Sequence, residues 1–211
     1  MECWNNLIRN HIPEGYTILF EAAQREGKTL SDVIWALDAY QKGRTIHSNI
    51  QLGFPHQPLE FNEMRLEDGL SKYHNGYILI DELNFFLRSR GHQTELNQKA
   101  IPFLLQQKKQ GCIFSGTTHN LLDLDVVLRE HFDYLVKPEV FPKYPKPPQI
   151  LKMEITNGPL QKKFYKKITL DCRPYLNLYD SFAIYDPFKN TPKAKSAKPV
   201  VKLWIHTNTT L

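Results

Sequence analysis

The sequence is poor in cysteine and lacks both a long apolar run and a signal peptide. Its three cysteines, Cys3, Cys112 and Cys172, include no CxxC pair. This excludes a zinc ribbon, and the odd count and wide spacing are typical of a reducing compartment. No stretch approaches the roughly 20 apolar residues of a membrane span, and the first residues lack the basic and apolar regions of a signal peptide. We therefore expect an intracellular, soluble protein without an integral membrane segment.

The composition indicates a folded protein with a mild excess of positive charge. Of 211 residues, 41% are hydrophobic, which is enough for one compact α/β domain with a modest extra lobe. The 27 basic and 22 acidic residues give a net charge of +5. Such an excess is compatible with a polyanionic partner, but many proteins without one also carry it.

Strand and helix patterns alternate along the first two thirds of the chain. Short apolar runs predict strands at residues 16–20, 45–52, 77–80, 112–114 and 134–136. Apolar residues at helical spacing predict helices at 29–40, 94–109 and 121–131. This alternation predicts an α/β fold in which a mostly parallel sheet is flanked by helices.

The last third of the chain has a different composition. Five prolines lie within residues 138–148, and two β-rich runs at 150–156 and 164–172 predict a hairpin that turns at residues 157–159. From residue 189 the chain is rich in Lys, Pro and Ala, which predicts a flexible basic tail. We therefore divide the chain into a core (1–137), a proline-rich connection with a small β-hairpin lobe (138–188) and a tail (189–211).

A phosphate-binding loop is the strongest motif. The sequence AAQREGKT at residues 22–29 follows a predicted strand and opens a predicted helix, the context that such a loop requires. Ala22 replaces the usual first glycine, and we expect Glu26 to point outward or to pair with Arg25. The loop predicts ATP and Mg²⁺ as ligands, with the nucleotide bound by Ala23, Gln24, Arg25, Glu26, Gly27, Lys28, Thr29 and Leu30.

Two carboxylates follow the most apolar strand. The run YILI leads directly into Asp81 and Glu82, which places both acids at the carboxyl edge of a parallel sheet, where α/β proteins bind ligands. In this interpretation Lys28 contacts the β- and γ-phosphates, while the Thr29 hydroxyl and Asp81 hold Mg²⁺. Glu82 is then the catalytic base that accepts a proton from the attacking water.

Two further sets of residues are candidates for contact with the γ-phosphate. The strand CIFSGTTHN ends in Thr117, Thr118 and His119, any of which could contact the γ-phosphate or orient water. A ring NTPase also needs an arginine that reaches the nucleotide of a neighbouring subunit. Arg129 is our first candidate for this role, and Arg88 and Arg90 are the alternatives.

A cluster of lysines flanks two aromatic residues in the sequence QKKFYKK. The four lysines, at positions 162, 163, 166 and 167, could grip a nucleic-acid backbone. A solvated, charged edge strand is an equally good interpretation.

These motifs together resemble the small genome-packaging ATPases of archaeal and other membrane-containing icosahedral viruses, in the FtsK/HerA-type superfamily. The resemblance covers about residues 15–188 and also reaches Zot-like proteins of filamentous phages. It depends on EAAQREGKT, YILIDELNFFLRSR, LNQKAIPFLLQQKKQG, CIFSGTTHN, LREHFDYLV and NLYDSFAIYDPF. His119 stands where the superfamily pattern has a glutamine.

The resemblance implies a RecA/FtsK-like P-loop ATPase that translocates double-stranded DNA into a viral capsid. It further implies a homo-oligomeric ring with nucleotide between subunits, a capsid or portal vertex as partner, and a location in the host cytoplasm or on the virion. Two alternatives stay open: a P-loop kinase, and an assembly module that binds nucleotide without translocating DNA.

Overall fold

The computed structural model describes residues 16–59, 73–87, 102, 106–158 and 163–180. Short 3-10 helices also occur at Gln107–Gln110, Leu121–Asp123 and Arg173–Tyr175. The strands and α-helices of the described residues are, in chain order, β1 (Thr17–Glu21), α1 (Lys28–Gln41), β2 (Thr45–Ser48), β3 (Gln57–Pro58), β4 (Gly76–Ile80), α2 (Leu83–Phe86), β5 (Ile113–Thr118), α3 (Val126–His131), β6 (Tyr134–Phe141), β7 (Ile150–Asn157) and β8 (Lys163–Asp171).

All eight strands belong to one sheet, in the order β3-β2-β4-β5-β1-β6-β7-β8. The strands from β3 to β6 in this order are parallel, whereas β7 is antiparallel to both β6 and β8. The predicted mostly parallel α/β sheet with a C-terminal hairpin is therefore confirmed. The hairpin extends the sheet through backbone pairing with β6.

The central strands are buried on both faces, as their unbroken apolar runs predict. Because successive strand residues point to opposite faces, Ile18 and Phe20 of β1 pack with α1, while Leu19 joins the opposite cluster with Leu128 of α3. Two apolar cores thus sandwich the sheet and fix the ends of β1, β4 and β5 relative to α1.

A buried carboxyl group ties α1 to the sheet. Asp32 is fully buried, and its Oδ1 accepts hydrogen bonds from the Tyr77 hydroxyl (2.8 Å) and from Ser115 Oγ (2.6 Å). Burial raises the pKa of Asp32 to about 7, although both hydrogen bonds act in the opposite direction. These bonds link the first two turns of α1 to the middle of β4 and β5, directly behind the predicted phosphate-binding loop.

Strand β6 is longer than the sequence predicted. It continues through Pro138 to Phe141, so the proline-rich segment begins inside a strand, and the 137/138 boundary falls there too. The reason is that β6 pairs with β1 only as far as Val136, whereas its pairing with β7 extends to Phe141. Beyond Val136 one side of β6 is an edge, where proline is tolerated. The three-part division stays a prediction.

Other predicted elements differ at their ends or lie outside the described residues. The second strand stops at Ser48 instead of residue 52. The predicted helix 121–131 is a 3-10 turn followed by α3, whose first turn is capped by Asp125 accepting from the Val127 N–H (3.0 Å). Most of the predicted helix 94–109 and all of the tail 189–211 lie outside the described residues.

The described segments contain no helix that is both long and apolar enough to cross a membrane.

Candidate nucleotide site

The loop between β1 and α1 contains two left-handed residues directly before the helix. Gly27 adopts a left-handed conformation (φ 90°) immediately before α1, and a Cβ there would lie 2.7 Å from Val140 Cγ1, so only glycine fits. Arg25 is also left-handed (φ 65°), whereas Ala22 is not among the residues with positive φ. The replacement of the usual first glycine by Ala22 is therefore compatible with this loop.

Lys28 points into the space that the loop encloses. Its Nζ donates a hydrogen bond to the Ala23 carbonyl and lies 3.1 Å from His119 Nδ1. The residue is only 6% exposed, and burial lowers the pKa of its ammonium, although Glu82, Asp81 and Glu26 act to raise it. A partly desolvated cation at the N-terminus of α1 is suited to bind an anion.

Asp81 receives two hydroxyl groups on one oxygen atom. Both Thr29 Oγ1 and Thr117 Oγ1 donate to Asp81 Oδ1 at 2.8 Å. Burial raises the pKa of Asp81, and these two hydrogen bonds oppose that shift. The hydroxyl of Thr29 and the carboxylate of Asp81 are hard oxygen ligands that fit Mg²⁺. The structure thus brings together the two residues predicted to hold the metal.

Asn49 supports Asp81 and was not predicted. Its Nδ2 donates to the Asp81 carbonyl (2.9 Å) and its Oδ1 accepts from the Asp81 N–H (2.8 Å). The sequence analysis predicted a strand at residues 45–52 and therefore assigned Asn49 to the interior of that strand. Because β2 ends at Ser48, Asn49 is the first residue past the carboxyl end of that strand. A polar residue in this position is the signal that could have identified it.

Glu82 is held in an unusual backbone conformation. It is left-handed (φ 53°, ψ 53°), and its N–H donates to Thr117 Oγ1 at 2.9 Å. One carboxylate oxygen, Oε1, lies 3.2 Å from His119 Nε2, while Oε2 is buried and has no hydrogen-bond partner among the described residues. Burial and the neighbouring Asp81 raise the pKa of Glu82, whereas His119 and Lys28 act to lower it. Strained residues of this kind cluster at functional sites.

The ring of His119 lies between Lys28 and Glu82. Its Nδ1 faces the Lys28 ammonium and its Nε2 faces the Glu82 carboxylate. Since an ammonium only donates and a carboxylate accepts, a neutral ring with its proton on Nε2 satisfies both neighbours. His119 therefore lies between Lys28 and Glu82, and its role as a sensor of the terminal phosphate stays a prediction. Thr118 instead donates to the Asn120 carbonyl (3.1 Å).

The remaining loop residues have different surroundings. Ala23, Gln24 and Arg25 are exposed, and the Leu30 side chain lies in the core, which leaves its backbone to face a ligand. Glu26 forms an ion pair at the surface with Lys143 from the segment after β6, whereas the sequence analysis had named Arg25 as its partner. The sequence could not show this contact, since it depends on the extended β6.

Arg129 is engaged within its own chain. Its Nε donates to the Leu124 carbonyl and its Nη2 to the Leu122 carbonyl, both at 2.8 Å. These bonds stabilise the turn that follows His119. A role of Arg129 toward a neighbouring subunit stays a prediction, and the alternatives Arg88 and Arg90 lie outside the described residues.

Comparison with known proteins finds a structural likeness to solved structures. No family model and no curated protein matches the chain. The N-terminal domain of zonular occludens toxin from Neisseria meningitidis is 17% identical with a TM-score of 0.55, covering 79% of this chain and 100% of that domain. The genome-packaging NTPase B204 from Sulfolobus turreted icosahedral virus 2, in complex with AMP, is 10% identical with a TM-score of 0.48, covering 74% and 99% respectively.

At these identities the likeness concerns the fold. The described part of this chain has a mostly parallel α/β fold similar to that of the N-terminal domain of zonular occludens toxin.

Proposed function

We propose that this chain is an ATP-hydrolysing motor that moves double-stranded DNA into a viral capsid. The observation that carries the hydrolytic part is Glu82, whose buried Oε2 atom has no hydrogen-bond partner in the described structure. A buried carboxylate oxygen of this kind, beside a desolvated lysine, is suited to accept a proton from water. The left-handed backbone of Glu82 indicates that the surrounding structure holds it in place.

Each residue of the site has a role in this proposal. Lys28 and the backbone N–H groups of the loop bind the β- and γ-phosphates. Thr29 and Asp81 hold Mg²⁺, which when bound supplies positive charge to the phosphate oxygens. Thr117 and Asn49 fix the direction of Asp81 and Glu82. A γ-phosphate that attracts Lys28 away from His119 also changes the hydrogen bonding of Glu82, which links nucleotide binding to the base.

The DNA part of the proposal is supported by the sequence resemblance and by strand β8. This strand is the edge of the sheet and carries Lys163, Lys166 and Lys167 beside the exposed Phe164. Glu154 on β7 lies 3.2 Å from Lys167 and neutralises part of this charge. Lys162 lies outside the described residues. A homo-oligomeric ring, a capsid or portal vertex as partner, and a place in the host cytoplasm or on the virion belong to the same proposal.

The two alternatives make different demands on the site. A P-loop kinase transfers phosphate to an acceptor molecule, whereas the free oxygen of Glu82 favours activation of water. An assembly module that binds nucleotide without translocating DNA needs no catalytic base. The discriminating experiment measures phosphate release from ATP with and without double-stranded DNA. DNA-stimulated release supports the motor, a phosphorylated small-molecule product supports the kinase, and binding without turnover supports the assembly module.

The lysines of β8 should contribute to the salt dependence of DNA binding. Replacing Lys163, Lys166 and Lys167 with Ala should lower the slope of log affinity against log salt by about 0.9 for each lost phosphate contact. The measurement is fluorescence anisotropy with one duplex at several salt concentrations. A control variant with Lys42, Lys137 and Lys146 replaced loses the same charge elsewhere. Equal slopes for the two variants would place the DNA contacts away from β8.

Asn49→Ala should lower the turnover number about 10-fold while leaving the affinity for Mg²⁺-ATP close to that of the wild type. The substitution removes two hydrogen bonds from the backbone of Asp81, each worth roughly 1 kcal/mol, and these bonds orient the acids without touching the loop that binds phosphate. Steady-state turnover and equilibrium nucleotide binding, measured separately, test this. A loss of affinity as large as the loss of turnover would make Asn49 a general support of the fold.

A further inference from the structure

The segment after β6 lies against the phosphate-binding loop. In this segment, residues 142–149, Lys143 forms an ion pair with Glu26, and the guanidinium of Arg25 lies 3.8 Å from the ring centroid of Tyr144. Gly27 packs on Val140 at the end of β6. Two adjacent residues of the loop, Arg25 and Glu26, therefore contact two adjacent residues of this segment, Tyr144 and Lys143.

The order of the strands gives the direction of a bound nucleotide. The groups suited to a terminal phosphate, which are Asp81, Glu82 and His119, follow β4 and β5 on one side of β1. The other neighbour of β1 is β6, and its parallel direction brings the segment 142–149 to the same edge of the sheet. A triphosphate bound with its γ end at Glu82 and its other phosphates along the loop would therefore extend toward β6, and its nucleoside would lie beside residues 142–149.

Tyr144 has the properties of a stacking surface at that point. Its side chain is 60% exposed although it is a large aromatic group. Arg25 covers one face of the ring by a cation–π contact, which holds the ring beside the loop. Because more than half of the side chain is still exposed, the ring has surface left for a second flat group. A planar, partly immobilised aromatic surface next to a phosphate site is suited to stack on a nucleobase, since every base has a π face.

We propose that Tyr144 is the surface on which the base of the bound nucleoside triphosphate stacks, and that Arg25 positions its ring. This inference rests on the proposed function, because it requires that the loop binds a nucleotide. Stacking does not read the edge of the base. Tyr144 therefore favours any purine nucleoside triphosphate over a bare polyphosphate and discriminates little between adenine and guanine.

A competing explanation makes Tyr144 a latch that holds the phosphate-binding loop in shape. The two explanations differ in the ligand that should be affected. Loss of a stacking surface weakens the binding only of ligands that carry a base. Loss of a latch weakens the binding of every ligand of the loop, because the conformation of the loop itself is disturbed. Inorganic tripolyphosphate, which has the phosphates without the base, separates the two.

The experiment measures the binding of a non-hydrolysable ATP analogue and of inorganic tripolyphosphate, both with Mg²⁺, to the full chain by calorimetry. Tyr144→Ala should weaken binding of the analogue on the order of 10-fold and leave tripolyphosphate binding unchanged. Tyr144→Phe, which keeps the ring, should bind both ligands like the wild type. A thermal melt of each variant verifies folding.

Three results would overturn the inference. Equal weakening of both ligands in Tyr144→Ala would identify a latch, and an unchanged affinity for both would remove Tyr144 from the site. A Tyr144→Phe variant as weak as Tyr144→Ala would show that the hydroxyl, and not the ring, makes the contact. Failure of the wild type to bind either ligand is a different outcome, since it would overturn the proposed nucleotide function itself.

Discussion

Lys28→Ala should reduce ATP turnover to the background rate and weaken the binding of Mg²⁺-ATP on the order of 100-fold or more. Lys28 is 6% exposed, and its Nζ lies between the Ala23 carbonyl and His119 Nδ1, so it points into the loop. Removing it leaves phosphate charge in a site that has lost its buried cation.

The same substitution should leave the free energy of unfolding unchanged or slightly higher. Burial lowers the pKa of Lys28, which means that the buried ammonium costs the folded protein desolvation energy. A thermal melt and a nucleotide titration on the same sample therefore separate binding from folding. Lys42→Ala is the matched control, because Lys42 follows the other end of α1 and pairs with Asp38 at the surface. Wild-type turnover in Lys28→Ala would contradict the assignment of the loop at residues 22–29 to phosphate binding.

The arrangement of the core strands could be predicted because it depends on local patterns. Apolar runs marked β1, β4 and β5, and the alternation with helices implied parallel pairing. The course of β6 could not be predicted in this way. Prolines normally argue against a strand, but here Pro138 lies where only β7 pairs with β6. That exception depends on the lengths of neighbouring strands, which no local pattern of β6 contains.

The same distinction between local patterns and tertiary contacts applies to the residues of the site. Lys28, Thr29, Asp81 and Glu82 stand in contiguous motifs, and the structure brings them together at one edge of the sheet. Tyr144, like Asn49, meets the site through tertiary contact alone. A single sequence carries no sign that residue 144 lies on the loop at residues 22–29, because that neighbourhood is created by the long β6. The roles of the predicted residues stay predictions until the variants are measured.

Glu82→Gln should lower ATP turnover on the order of 10²–10⁴-fold while Mg²⁺-ATP still binds. Gln has the shape of Glu and keeps an oxygen that can accept from His119 Nε2, now 3.2 Å from Glu82 Oε1. It also leaves the backbone bond from residue 82 to Thr117 Oγ1 in place. What it removes is the basicity of the second oxygen, Oε2. In the part of the chain that the structure describes, this atom is buried without a hydrogen-bond partner, and in the proposed function it receives the proton of the attacking water.

The measurement is single-turnover hydrolysis at saturating ATP, together with nucleotide affinity, so that chemistry is separated from binding. Glu130→Gln on the exposed side of α3 removes the same charge away from the site and should hydrolyse ATP at the wild-type rate. Glu82→Gln should bind ATP at least as well as the wild type, because one negative charge near the γ-phosphate is lost. If it turned over normally, the base would lie elsewhere. If it lost binding and turnover together, Glu82 would be a support of the site and would not act in the proton transfer.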